Sequence, residues 1–437
     1  MAIELSNLTF TEQDDIVPVS GVEEIVNTGV ANTLAGNDRI IGTGDNYGIH
    51  NFGTLNTSDG NDVIIGVSHS QEGYLNVYSS GIFHRGGTIN TGDGDDKITG
   101  TGQTGIILHE GILDTGTGSD TITGTGQEGE GISISNATVN TGDGDDKITG
   151  TGSFASGIAL FAGGILDTGT GSDTITGTGG NFGILNNFIF NTGDGNDKIT
   201  GNSNFAGRGI INIGTMDTGA GNDEITGTSA EGGELYNDLS WGIYLSWGIY
   251  NYYGNTIDTG DGKDKITGTG YRYGIYNTGT IHTGDGSDII TGTSTTEGGY
   301  GIYHEGIINT GNGDDSIIAN GGFHNNGGAI NMGDGNDSII SNGGFQASNS
   351  SGAWFLGEGD DYIKGFGSGD FYGGNGNDTL ELTPGTYTVG IWGEGSESPI
   401  FTKGNQLMIT SEFEKLKAGS TIYDFTSLTA GQIIVVA

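Results

Sequence analysis

The chain has 437 residues, 91 of them glycine and 3 proline, and no cysteine, which excludes disulfides and cysteine-based zinc sites. Acidic side chains number 54 against 13 basic ones, a formal charge of −41, and a surface so acidic repels nucleic acid and anionic lipid. No apolar run approaches the ~20 residues that span a membrane, and Met1-Ala2-Ile3-Glu4-Leu5 lacks the basic and apolar stretches of a cleaved signal peptide.

In chain order, residues 1–30 are acidic and without a motif, and are expected to cap the first repeat of an array, since array ends must be covered. From there a nonapeptide recurs, typified by Thr91-Gly92-Asp93-Gly94-Asp95-Asp96-Lys97-Ile98-Thr99. The Asp in its sixth place falls at Asp38, Asp62, Asp96, Asp120, Asp146, Asp173, Asp197, Asp223, Asp264, Asp288, Asp315, Asp337, Asp361 and Asp378. Two places later an aliphatic residue always follows, from Ile40 to Leu380. A repeat this regular marks stacked, solenoid-type units.

Residue type indicates the chemistry. Glycines flanking a variable residue let the backbone take positive φ and close a tight turn. Such a turn can aim carbonyl oxygens at one point, to which the Asp adds a carboxylate. An all-oxygen donor set suits a hard cation, and Ca²⁺ best, because it accepts six to eight oxygens in loose geometry. Two stacked turns would be needed to supply them. At these residues the sequence resembles the RTX, or haemolysin-type, calcium-binding repeat G-G-x-G-x-D-x-U-x. Here Thr usually stands for the first Gly, and only Gly373-Gly374-Asn375-Gly376-Asn377-Asp378 has both; the first two copies carry Leu34 and Ser58 in place of the second. The resemblance covers roughly residues 31–380. It implies about one Ca²⁺ per coil on the fourteen aspartates, folding coupled to metal binding, and a secreted protein. Fourteen divalent ions would bring −41 to −13.

The Asp-to-Asp interval is mostly 24 to 27 residues, which implies one such turn per coil followed by two further strands. Between turns lie short alternating pieces, such as Gly274-Ile275-Tyr276-Asn277 and Thr280-Ile281-His282, and period-two alternation predicts strands with one buried face. Ile266, Ile275 and Ile281 are the expected inward residues of that coil. Longer intervals mark two insertions. One includes Tyr74 to His84; the other holds a tandem Ser240-Trp241-Gly242-Ile243-Tyr244 and Ser246-Trp247-Gly248-Ile249-Tyr250. A two-coil super-repeat is superimposed. The residue six before the turn Asp alternates as Asn90, Asp114, Asn140, Asp167, Asn191, Asp217. Interleaving a neutral residue reduces repulsion between stacked carboxylates, and the column reads as a hydrogen-bonded ladder or as extra calcium ligands.

From residue 381 the character changes, with Lys403, Lys415 and Lys417 and fewer glycines. Phe413-Glu414-Lys415-Leu416 is similar to an element that often ends RTX arrays. The apolar Gln432–Ala437 terminus reads as a closing strand and, through the resemblance, as an uncleaved type I secretion signal.

Other chemistry is sparse. Gly100-Thr101-Gly102-Gln103-Thr104-Gly105 has glycine spacing seen at dinucleotide sites, but no helix follows it to hold a pyrophosphate. His109-Glu110 and His304-Glu305 are read as equivalent coil-edge positions, and there is no nucleophile elbow, no H-E-x-x-H and no triad spacing. Two surface ladders stand out: a T-x-T array (Thr99/Thr101, Thr123/Thr125, Thr149/Thr151 and onward), of a kind that can order water and bind ice, and aromatics at Trp241, Trp247, Tyr250, Tyr276 and Tyr303 that could contact a polysaccharide or a second copy of the chain. The expectation is a right-handed parallel β-solenoid of about fourteen coils with caps at 1–30 and 381–437. Its expected role is structural and non-enzymatic, at the cell surface or in an extracellular matrix; an ice- or polysaccharide-binding adhesin and a carbohydrate-active enzyme are the alternatives.

Overall fold

The computed structural model describes residues 2–18, 23–69, 79–205, 207–230, 246–347, 352–392 and 398–437. The chain is 60% strand and 2% helix, and its strands stack in parallel into a β-solenoid of about thirteen turns, in agreement with the sequence. It divides into two compact units, one formed by residues 1–221 and 225–241, the other by 222–224 and 242–437.

Within the first unit a typical coil begins with the six-residue turn at 91–96 and runs through strand Lys97–Gly102 into the long strand Thr104–Asp114. That strand bends at Glu110 and Gly111, both at positive φ. In the second unit the turn at 259–264 leads into strands Lys265–Gly270, Tyr273–Asn277 and Thr280–His282. Register is one residue to one residue, with Ile98 opposite Ile122, Ile122 opposite Ile148, and Ile266 opposite Ile290. Each coil therefore repeats its neighbour's inward set, and the hydrophobic pattern fixes the register. Ile266, Ile275 and Ile281 are fully buried, as expected. An aliphatic side chain buried in this way contributes about 1.5–3 kcal/mol.

The interior is narrow. Gly100 faces inward, and a Cβ there would lie 2.3 Å from the carbonyl oxygen of Gly105. The first and second strands thus meet backbone against backbone, which explains the glycine between the two threonines of T-G-T. Two stretches assigned from sequence to insertions are regular second strands instead: Ser80–His84 pairs in register with Tyr47–Asn51, and Trp247–Asn251 with Tyr273–Asn277; residues 70–78 and 231–245, the rest of those readings, lie outside the described residues.

One buried column was not foreseen. After the second strand, Asn27 Nδ2 donates to Asn51 Oδ1 (2.7 Å) and to the carbonyl of Thr54 (2.9 Å), and Asn51 Nδ2 meets His84 Nδ1 (2.9 Å). The same column continues as Leu108, Ile134 and Leu160 and returns to Asn186 and Asn212. The second unit repeats it with Asn251, Asn277, His304 and Asn325. His304 is therefore the counterpart of His84, and His109, one residue past the column at Leu108, is not equivalent to it. The matching of His109 with His304 made from sequence is corrected on this register.

At the N-terminal end, Ile3–Glu4 pairs with Ile25–Val26 and Ile16–Val17 with Arg39–Ile40. At the C-terminal end, Gln406–Ser411 and Lys415–Ala418 continue the parallel ladders, whereas Gly385–Trp392 pairs antiparallel with Ser398–Lys403 and with Ile433–Val436.

Candidate functional site

The repeated corner is the feature built most often in this molecule. At Gly94, φ is +143° and a Cβ would lie 1.9 Å from the Gly60 carbonyl oxygen of the preceding coil; Gly118 repeats this with φ of +129° and 2.0 Å. No side chain fits there. Leu34 and Ser58, in place of the second glycine, adopt the same left-handed backbone (φ 69° and 65°), at roughly 1–2 kcal/mol each.

All fourteen motif aspartates are buried, at no more than 2% exposure. Within each unit they form a column. Oδ1 of each accepts the backbone N–H of the Asp one coil earlier: Asp38 to Asp62 (2.7 Å), Asp96 to Asp120 (2.8 Å) and Asp120 to Asp146 (2.8 Å) in the first unit, and Asp223 to Asp264 (2.8 Å) and Asp337 to Asp361 (2.7 Å) in the second. The column is longer than the motif. Asp15 donates its amide to Asp38 Oδ1 (2.8 Å), and Glu414 Oε2 receives the amide of Asp378 (2.7 Å), so a glutamate in the terminal Phe413–Leu416 element closes the series. Neither was recognised from sequence as part of the column, because no glycine pattern surrounds them.

The second carboxylate oxygen is in a different state. In twelve corners, Asp197 and Asp223 aside, Oδ2 is buried and makes no hydrogen bond. Burial pushes the carboxyls up, Asp96, Asp146, Asp264, Asp337 and Asp378 to about 7 and Asp62, Asp288 and Asp361 to about 6. The turn's own threonine hydroxyl lowers the Asp62, Asp96 and Asp146 values only in part. That hydroxyl bonds along the stack, as Thr91 Oγ1 does to the carbonyl of Thr115 (3.3 Å).

Outside the buried column, three rim columns carry charge differently. Asn140 Nδ2 donates to Asp114 Oδ1 (3.1 Å) and Asn191 Nδ2 to Asp167 Oδ1 (3.0 Å), so the alternation six residues before the turn Asp is a hydrogen-bonded ladder. Thr117 Oγ1 donates to Asp93 Oδ1 (2.9 Å), and the amide of Ser119 to Asp95 Oδ1 (2.9 Å). Between Asp93 and Asn196 each Asp of these columns is followed by a neutral residue. This is the physical meaning of the two-coil super-repeat.

A divalent cation can be tested against this geometry. Favouring it are a buried oxygen without a hydrogen bond in twelve of the corners and no neutral residue among the fourteen motif aspartates. Each Asp has one oxygen to offer, because the other holds an amide, and the carbonyls of the third place in the turn accept coil-to-coil bonds, as Thr117 does from Gly94 (2.7 Å). Among the described residues no three acidic or histidine side chains converge. The unbonded Oδ2 atoms are the donors that would hold a cation here, and main-chain carbonyls and water would have to complete its coordination.

Both ladders form, although Trp247 in the aromatic one is buried at 8% exposure and is not a surface contact. In the first unit Thr99, Thr123, Thr149, Thr176 and Thr200 align in one outward column and Thr101, Thr125, Thr151 and Thr178 in the next. They lie on a strand face and not on the turn; Lys97, Lys147 and Lys198 flank them. In the second unit Trp247, Tyr276 and Tyr303 stack, with centroids 4.7 and 4.6 Å apart and planes within 8° and 7°. Tyr250 meets Tyr276 edge-on at 5.4 Å. Trp241 lies outside the described residues. Comparison with protein-family models and with curated proteins finds no match to this chain.

Proposed function

We propose that the chain is a structural, calcium-stabilised repeat protein of the RTX kind, secreted and acting at the cell surface or in an extracellular matrix, with no catalytic role. The observation that carries this reading is the contrast between columns. The exposed column one place before the turn Asp never stacks two acids, interposing Asn, Ser or Lys between Asp95, Asp145, Asp314 and Asp360, yet the buried column keeps an Asp at all fourteen motif turns. Two carboxylates one strand spacing apart (~4.8 Å) repel by roughly 3 kcal/mol at an effective dielectric of 20. Burial makes the arrangement costlier still. A divalent ion on the aspartate Oδ2 atoms would neutralise two charges and satisfy the unpaired oxygens together. Millimolar extracellular Ca²⁺ would then complete folding of a chain that stays loose in a low-calcium cytosol, and export through a C-terminal type I signal belongs to the same reading.

The test is thermal unfolding followed by circular dichroism in 5 mM CaCl₂ and in chelator. A melting temperature lower by tens of degrees in chelator is expected; identical curves would refute calcium dependence.

A second reading, binding to ice, is favoured by the threonine columns, which run in register across five coils and four coils respectively. Thermal hysteresis measured with the purified protein decides it.

A further inference from the structure

The second unit carries a groove that calcium binding leaves without a role. Tyr250, Tyr252, Tyr253, Tyr276, Thr278, Glu305 and Asn326 line it, and it encloses about 520 Å³, within the range of small-molecule clefts. The rings divide into two kinds. Tyr276 has Trp247 stacked on one neighbouring position and Tyr303 on another, so its faces are spent on those rings and it presents an edge. Tyr252 and Tyr253, by contrast, are 46% and 79% exposed, which is unusual for two adjacent large aromatics and leaves ring surface at the mouth.

The polar groups are pre-arranged. Glu305 Oε1 accepts from Tyr303 Oη (2.9 Å) and from Asn326 Nδ2 (2.8 Å). Two donors on one oxygen orient the carboxylate and leave Oε2 to receive a ligand's hydroxyl. Among the described residues no lysine or arginine lines the groove. With a formal charge of −41 on the chain, an anionic ligand would meet only repulsion.

We infer that this groove binds a neutral polysaccharide, through its pyranose rings. The C–H-bearing face of a pyranose is weakly positive and packs on the negative face of an aromatic ring, here Tyr252 and Tyr253. Its hydroxyls donate to Glu305 and to the tyrosine oxygens. A charge-assisted bond of that kind is among the stronger ones a sugar can make. The inference is independent of calcium at the aspartate corners.

Affinity electrophoresis in gels containing xylan, galactomannan, amylose or mixed-linkage β-glucan tests it. The intact protein is expected to be retarded by at least one of these, insensitively to salt. The double variant Tyr252→Ala/Tyr253→Ala should lose at least tenfold in apparent affinity, and Glu305→Gln several-fold, with melting curves unchanged. Phe154→Ala, at an exposed aromatic of the first unit, should bind as wild type does. Absence of retardation on every gel would overturn the inference. So would full retention by the double variant, or salt-sensitive capture by a choline resin in place of the gels, which would mark a cation-binding aromatic cup.

Discussion

Replacing Asp146 with Asn separates the two ways in which the buried column can be neutralised. The substitution is nearly isosteric and keeps an Oδ1 to accept the Asp120 amide, a 2.8 Å bond in the native corner. It removes the charge and turns the unpaired Oδ2 into an NH₂ group. Burial pushes the Asp146 carboxyl from 3.8 to about 7. A gap of about three units at 1.36 kcal/mol each sets a ceiling of about 4 kcal/mol on the cost of holding the charge. The sign follows from proton binding. The folded chain takes up this proton before the unfolded chain does, so the penalty is full above about pH 7, shrinks through the window from 7 to 3.8, and vanishes below it. In chelator at pH 8 the Asn variant should therefore melt several degrees above wild type, since 1 kcal/mol moves the melting temperature of a unit this size by about 2–4 °C. In millimolar Ca²⁺ the order should reverse, because an amide nitrogen repels the cation and its corner loses a ligand. Differential scanning calorimetry in the two buffers reads both values. A variant that melts above wild type in both would refute neutralisation of the column by calcium.

Three further outcomes follow from the packing. Gly118→Ala should destabilise the first unit by more than 3 kcal/mol, since its Cβ would sit 2.0 Å from a backbone oxygen and overpacking against main chain has no rotamer escape; urea denaturation measures it. Leu34→Gly should leave stability unchanged or raise it by up to about 1 kcal/mol, as relief of a left-handed leucine is offset by the greater freedom of the unfolded glycine; the same denaturation decides. Burial holds the His304 imidazole down at about 4, where Nε2 meets the Ala329 carbonyl (3.1 Å) and Nδ1 the Asn277 amide (3.2 Å). The unfolded chain binds that proton first, so stability is present above about pH 6.5 and lost as the pH falls towards 4. His304→Asn, which copies the neighbouring Asn277, should move the acid-unfolding midpoint of the second unit to lower pH.

Much of the fold was legible because the repeat is exact at the residues that matter. An Asp and an aliphatic residue two places apart, fourteen times over, locate both the corner and the first inward side chain. Alternation around Ile275 and Ile281 located the other two strands. The buried Asn column was not legible, because in the middle of the first unit it is filled by Leu108, Ile134 and Leu160. The position tolerates either a continuous amide ladder or a continuous aliphatic one, and only the register shows that they are a single column. Asp15 and Glu414 escaped for a related reason. Turn glycines are required where another coil stacks against them, and at the ends of a stack that constraint lapses while the need for a carboxylate on the next amide persists.

On the proposed calcium reading that carboxylate has two jobs, and they make different demands. Accepting an amide across the coil spacing needs one oxygen and no charge; an asparagine would do it, as Asn51 and Asn212 do for side-chain amides elsewhere in the core. The sequence has Asn available and uses it freely on the rim, where a charge is cheap. It uses Asp in the interior, where a charge is expensive. An amide cap alone gives no reason for that inversion. The proposed cation on the remaining oxygen would, because only the ionised residue could bind it, and because the electrostatic cost of the empty column would then make folding wait for the metal.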